Sequence, residues 1–181
     1  LIAGSLKKRS TRKILEANLD RESALKYDFI LWLHNVRSLH NVGAAFRNAD
    51  AFGVKEIFLS GYTPLPPRPE ITKTAIGAEE HVLWSAIEKP LAKIDTLKSR
   101  GYQIVGLEQT DSSELLSEFS PVSRKVCLIL GNEVTGIDSG IIPYLDKAVE
   151  IPQFGMKHSL NVSVACGVAL YAFLLKLQSA S

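Results

Sequence analysis

The 181 residues are 46% apolar and 22% charged, a balance that excludes a disordered or fibrous chain and fits one globular domain with at most a short extension. The net charge of +2 hides an asymmetry: Lys7, Lys8, Arg9, Arg12 and Lys13 all precede the first acid, Glu16, leaving 16 basic against 19 acidic residues in the remainder. A basic arm on a slightly acidic body points to a polyanionic partner, the plain alternative being a solvated terminus.

Residues 1–27 read as a basic helical extension, one amphipathic helix or two joined at 18–20, with Ile14, Leu15, Leu19 and Leu25 packing onto the domain. No signal-peptide pattern is present, and the opening Leu1 in place of Met leaves room for native residues upstream. From Asp28 to Ser181, short β-branched or aromatic runs alternate with helical patterns, the signature of an α/β domain with a largely parallel sheet and helices on both faces. Strands are expected at 28–35, 55–60, 81–86, 102–109, 125–131 and 147–152. Helices are expected at 42–52, 88–99, briefly at 113–119 and 139–145, and at 159–177. "GYTPLPPRPE", residues 61–70, reads as a Pro-rich loop long enough to be functional. Cys127 and Cys166 lie in apolar runs, which fits buried thiols in the reducing cytoplasm rather than a disulfide framework. No apolar run reaches the roughly 18–20 residues that cross a bilayer, because Ser163 and Gly167 interrupt the last one and Lys176 closes it, so no membrane is expected.

In open α/β sheets, ligands sit beyond the carboxyl ends of the strands, and three such ends carry unusual polar residues. The first is "NVRSLHNVGAAFRNADAFGV", residues 35–54. Asn41 and Arg47 lie six positions apart, about 600° of helical rotation, so Asn41 reads as an N-cap while Arg47 projects toward a separate site. The second is "VCLILGNEVTGI", where a fully apolar strand runs into Gly131, Asn132 and Glu133. Gly131 permits a ligand to approach the backbone closely. The third is "IPQFGMKHSLNVSVACGVALY", a loop that becomes an apolar helix. Ser159 reads as its N-cap, and Asn161 in its first turn must find polar partners. Ser163 and Gly167, four apart, would let another backbone approach.

Together the three stretches, with "KTAIGAEE" at 73–80, closely resemble the motifs of the SpoU/TrmH class of SPOUT RNA methyltransferases over nearly the whole chain. The resemblance implies a C-terminal trefoil knot, which periodicity alone does not show. It further implies S-adenosylmethionine as methyl donor, S-adenosylhomocysteine as product, and the ribose 2′-hydroxyl of tRNA or rRNA as acceptor. Carried over residue by residue, Leu130, Gly131, Ile151, Met156, Ser159 and Leu160 would contact the cofactor, and Arg47, Asn41, Glu133 and Asn161 would form the catalytic cluster. A homodimer through the knotted region is implied as well, with the Ser163/Gly167 face serving its close packing. A guanidinium has five donors and no acceptor, so Arg47 is expected to grip the adjacent phosphate and polarise the attacking hydroxyl rather than act as a literal base.

Many relatives carry a separate N-terminal RNA-binding domain, whereas here 27 residues precede the first strand, so RNA capture is expected from the arm residues Lys7, Lys8, Arg9, Arg12 and Lys13, from the dimer surface or from a missing segment, with Arg37, Arg68 and Lys73 on loops as candidate RNA contacts. His34, His40, His81 and His158 lack zinc-site spacing, and the transfer needs no metal. Trp32 reads as core. The rival readings are a non-catalytic RNA-binding or assembly protein of the same fold, and a methyltransferase directed at a base.

Overall fold

The computed structural model describes residues 7–22 and 27–179. Helix α1 (Thr11–Glu22) is unbroken at 18–20 and carries an exposed ion pair, Arg12 with Glu16 at 2.9 Å, one turn apart. Its Ile14, Leu15 and Leu19 are exposed, so the apolar positions of this helix do not pack onto the domain as expected. Leu25 lies outside the described residues.

The domain proper alternates strands and helices. β1 (Asp28–His34), α2 (Leu39–Ala51), β2 (Glu56–Ser60), α3 (Pro69–Ala75), α4 (Ala78–His81) and β3 (Leu83–Ile87) form the first part. There follow α5 (Pro90–Ser99), β4 (Gln103–Leu107), β5 (Glu114–Leu115), β6 (Lys125–Leu130), a single 3-10 turn (Ile142–Tyr144), β7 (Lys147–Glu150) and α6 (Val162–Ser179). Among the described residues all seven strands join one parallel sheet in the order β3-β2-β1-β6-β4-β7-β5. Late strands are interleaved between earlier ones: β6 lies between β1 and β4, and β7 between β4 and β5. The ends of β1, β6, β4 and β7 therefore meet at one edge of the sheet.

β1 is an interior strand beside the central β6, with Leu31 opposite Ile57 of β2 and Leu128 of β6. Its alternate side chains face opposite ways. Phe29, Leu31 and Leu33 enter a core shared with α2 and α6, while Ile30 and Trp32 enter a second core with Ile94 and Leu97 of α5. A strand buried on both faces reads as a continuous apolar run, which is why β1 and β6 are so legible. Trp32 is core, as expected, and its indole N–H donates to the Ser60 hydroxyl at 2.7 Å.

Four local expectations need correction. Residues 113–119 form the short strand β5 and turns, not a helix, because Leu116 N–H donates to the Glu150 carbonyl at 2.8 Å and ties the segment to β7. The Pro-rich stretch 61–70 gives way to α3 at Pro69, a residue suited to a first helical position by its fixed φ. α2 starts three residues before the expected 42, and its cap is Ser38, whose hydroxyl accepts the Asn41 N–H at 3.3 Å. α6 starts at Val162 rather than 159, so Ser159 caps nothing.

By length and composition alone α6 could cross a membrane, with 18 residues and a mean hydropathy of 1.5, contrary to the sequence expectation. Packing within the domain accounts for part of that composition. Cys166, Ala169, Leu170, Phe173 and Leu177 are core residues, and Phe173 contacts both Phe29 and Phe119. The opposite side of the helix bears Val164, Val168, Tyr171 and Leu175, each about half-exposed.

Helices α2 and α3 approach closely at Gly43 of α2, where an added Cβ would lie 2.0 Å from Thr74 Oγ1 and 2.3 Å from the Ile71 carbonyl oxygen of α3. Gly43→Ala is expected to lower stability by about 1–3 kcal/mol through overpacking, read as an earlier urea midpoint at unchanged slope. An unchanged midpoint would show that α3 can lift from α2 without cost.

Candidate functional site

The apolar strand β6 ends in a loop that closes on itself. Asn132 N–H donates to the Gly136 carbonyl at 2.9 Å and Gly136 N–H to the Asn132 carbonyl at 3.0 Å. This closure explains two glycines. A Cβ on Gly131 would stand 2.2 Å from the Gly136 backbone, so the closure of the loop by itself already requires glycine there. Gly136 adopts φ of 72° and lies against Glu108, whose Oε2 would be 2.2 Å from an added Cβ. Glu108, at the end of β4, accepts the Ile137 N–H at 2.7 Å and so fixes the far side of the loop.

Glu133 projects from this loop toward β1 and α2. Its carboxylate accepts the Arg37 N–H at 3.0 Å, the Ser38 N–H at 2.9 Å and the Asn41 side-chain amide at 2.9 Å. Burial alone would push this carboxyl up, but the donors from Arg37, Asn41 and Ser38 outweigh it and hold the group below its ordinary range. Asn41 is thus not a cap: it sits in the first turn of α2 and spends its side chain on Glu133. A carboxylate with three donors and a lowered pKa is a poor proton acceptor and a good brace.

Beside the loop lies a cavity of about 450 Å³. Of the six positions singled out for a cofactor, Leu130, Gly131, Ile151, Ser159 and Leu160 line it, while Met156 does not. Met156 is fully exposed and borders an adjoining hollow with Gly155 and Lys157. The cavity walls combine apolar side chains with three carboxylates, Glu108, Glu133 and Glu150. The loop that closes it, 152–161, is held by Gln109, whose side-chain amide donates to the His158 carbonyl at 3.0 Å.

Asn161 caps α6: its Oδ1 accepts the Ser163 N–H at 2.8 Å and the Ser163 hydroxyl at 2.6 Å. It does not join Asn41 and Glu133. Arg47 is exposed on α2, and among the described residues nothing pairs with it. The next residue, Asn48, donates its amide to the Ser163 carbonyl at 3.0 Å, which places Arg47 where α2 crosses the start of α6. A Cβ added at Gly167 would lie 3.4 Å from the same Asn48 amide, so α2 already packs against part of the Ser163/Gly167 face. Arg37, Arg68 and Lys73 are exposed on the β1 and β2 side, and Lys7, Lys8, Arg9, Arg12 and Lys13 are exposed before and within α1. His34 is buried and its pKa is lowered by that burial against the pull of Asp138. Its Nδ1 lies 2.6 Å from the Ser60 hydroxyl.

Sequence reasoning missed Ser38, Glu108, Gln109 and Asn132. Asn132 donates its amide to the Asn35 carbonyl and the Tyr62 hydroxyl, at 3.1 and 2.9 Å. The only signal for Glu108 and Gln109 was a pair of polar residues at the end of an apolar strand, the very cue that singled out Glu133. Among the described residues no three His, Cys, Asp or Glu are grouped to hold a metal ion.

Residues 28–171 match the model of the SpoU rRNA Methylase family. The tRNA (guanosine(18)-2'-O)-methyltransferase of Aquifex aeolicus is 34% identical over 145 residues, covering 80% of this chain and 67% of that enzyme. The crystal structure of an A. aeolicus TrmH/SpoU tRNA modifying enzyme superposes with a TM-score of 0.77 at 30% identity, over 91% of this chain and 85% of that one. An AdoMet-bound rRNA methyltransferase from Sinorhizobium meliloti superposes with a TM-score of 0.75 at 26% identity, over 82% of this chain. This chain spans only 56% of the S. meliloti protein.

Glu133→Gln leaves an amide facing backbone N–H donors, and is expected to cost about 1–3 kcal/mol at neutral pH. Because the folded carboxyl lies below its ordinary value of 4.5, this stability is fully present above that pH and is lost as pH falls through the folded value. The gap between parent and variant in urea unfolding should therefore shrink in acid. A gap that stays constant down to pH 3 would deny the carboxylate this role.

Proposed function

Since the chain belongs to the SpoU rRNA Methylase family, we propose that it is an S-adenosylmethionine-dependent RNA methyltransferase acting on a ribose 2′-hydroxyl of tRNA or rRNA. The observation that carries this reading is the shared loop: residues 131–136 wall the cavity on one side and brace α2, which bears the exposed Arg47, on the other. The cavity fits the cofactor chemically. Glu108 and Glu150 in its lining suit a ligand with sulfonium and ammonium charges, its apolar walls suit an adenosine, and the backbone of the two loops suits the polar edge of adenine. Leu130, Gly131, Ile151, Ser159 and Leu160 would hold it, with Met156 able to join only if the exposed loop folds inward. When bound, S-adenosylmethionine supplies an electrophilic methyl group.

The chain's own residues must position the acceptor. Arg47, always charged and with a planar fork of donors, would clamp the phosphate next to the target ribose and polarise its 2′-hydroxyl. Glu133 and Asn41 fix the angle at which α2 leaves β1, and Asn161 fixes the start of α6, so both helices meet the RNA in a set geometry. The 2′-hydroxyl proton goes to phosphate or water, since Glu133 is already saturated with donors. Lys7, Lys8, Arg9, Arg12 and Lys13, with Arg37, Arg68 and Lys73, would neutralise RNA phosphates. The buried thiols fit a cytoplasmic setting: burial pushes both up, Cys166 to about 12, against a weaker opposing hydrogen bond from Asn48.

We also infer a homodimer. The half-exposed stripe Val164, Val168, Tyr171 and Leu175 recurs at helical spacing on α6, and the fully exposed Phe154 and Met156 precede the same helix. An apolar stripe of this kind on a soluble enzyme calls for cover, and a second copy supplies the same stripe by symmetry.

Labelled methyl transfer to unmodified tRNA and rRNA, run beside Arg47→Ala, tests the activity. The parent should label one RNA fraction as a 2′-O-methyl nucleoside, and the variant should lose roughly 10²-fold or more in rate while binding cofactor normally. No transfer by a parent that binds cofactor would count against it. Val168→Asp should convert a dimer to a monomer in sedimentation velocity, and an unchanged mass would remove this face from the interface.

A further inference from the structure

Tyr62 stands on the loop after β2, outside the cavity, and the chemistry above makes no use of it. The residue is 58% exposed, yet it is fixed at both ends. Its backbone N–H donates to Asn35 Oδ1 at 3.3 Å, and its hydroxyl oxygen accepts the Asn132 amide at 2.9 Å. Asn132 is itself saturated. The same amide nitrogen donates to the Asn35 carbonyl at 3.1 Å, while Oδ1 accepts the Val134 and Thr135 N–H groups at 2.8 and 3.0 Å. Asn35 can supply both its acceptors because it adopts a left-handed φ of 59°, and Gly61, at φ of 65°, lets the chain pass against it.

A scattered exposed aromatic needs no explanation, but an exposed aromatic whose free end is pinned to a catalytic loop has lost its rotamer freedom before any partner arrives. The pin is the residue next to Glu133. On the same side of the sheet, Arg37 at the end of β1 and Arg68 at the head of α3 are exposed cations. A preorganised exposed ring has the chemistry that stacks on an unstacked nucleobase, whereas phosphate contacts from the two cations alone would fix only register.

We propose that Tyr62 is a stacking platform for a base of the RNA presented for methylation, held in place by Asn132. The proposal rests on the reading of RNA as the acceptor. Because the hydroxyl oxygen receives the Asn132 proton, its own O–H remains available to donate to an acceptor on the base edge. The ring supplies most of the binding and the hydroxyl sets its angle.

The test compares parent, Tyr62→Ala and Tyr62→Phe in three readouts: KM and kcat for RNA at saturating S-adenosylmethionine, binding of fluorescein-labelled unmodified tRNA, and cofactor affinity by calorimetry. Tyr62→Ala should weaken RNA binding and raise KM by between about 5-fold and 150-fold, with cofactor affinity unchanged. Tyr62→Phe should retain most of the binding. Unchanged RNA affinity in Tyr62→Ala would overturn the proposal. So would Tyr62→Phe as impaired as Tyr62→Ala, which would assign the effect to the Asn132 bond, or a parallel loss of cofactor affinity, which would mean a collapsed loop. A parent that transfers no methyl to RNA would defeat the enzymatic reading, and the tRNA-binding comparison would still decide the role of the ring.

Discussion

The Glu133 carboxylate is the joint on which the site depends. It leaves the end of β6 and accepts donors from the turn after β1 and from the first turn of α2, so adjacent strand ends are locked at one angle. Three donors on one partly buried acid are worth more together than singly, because each removes water from the others. The loop that carries Glu133 is in turn made rigid by its own closure between Asn132 and Gly136, and by Glu108 behind it. Rigidity there is inherited by everything attached: the cavity wall on one side, α2 with Arg47 on the other, and Tyr62 above.

Charge is distributed to suit two ligands of opposite sign. Glu108 and Glu150 line the cavity, favourable for a cationic cofactor, whereas the cations expected to meet RNA are exposed on the arm, on α2, at the turn after β1 and on α3. Segregation of this kind lets an anionic polymer and a cationic small molecule occupy neighbouring sites without competing, since each meets the complementary field. It also explains how a chain of net charge +2 can serve a polyanion: the excess is local.

Where sequence reading failed, tertiary contacts had overridden local preference. Residues 113–119 have a helical appearance, but pairing with β7 draws Glu114 and Leu115 into the sheet. Ser159 has the chemistry of a cap and lies instead along the cavity, because the loop is held open by Gln109 on the His158 carbonyl, and α6 can begin only at the Asn161 cap. Ser163 and Gly167 looked like a small-residue face for a partner, and Asn48 of α2 packs against part of it. In each case the deciding atom comes from an element distant in sequence.

The sequence by itself determined the strand runs, the parallel α/β class, the three polar strand ends and, through its motifs, the family. These are properties of local composition and spacing, and burial on both faces of a central strand writes itself plainly into a continuous apolar run. Only the tertiary structure decided that Asn41 serves Glu133 rather than capping α2, that Gly131 is needed for its own loop, and that Asn132 ties Tyr62 to the site. The first and last are long-range hydrogen bonds whose partners lie 92 and 70 positions apart, and the second is a close backbone approach; no periodicity within either partner announces the other.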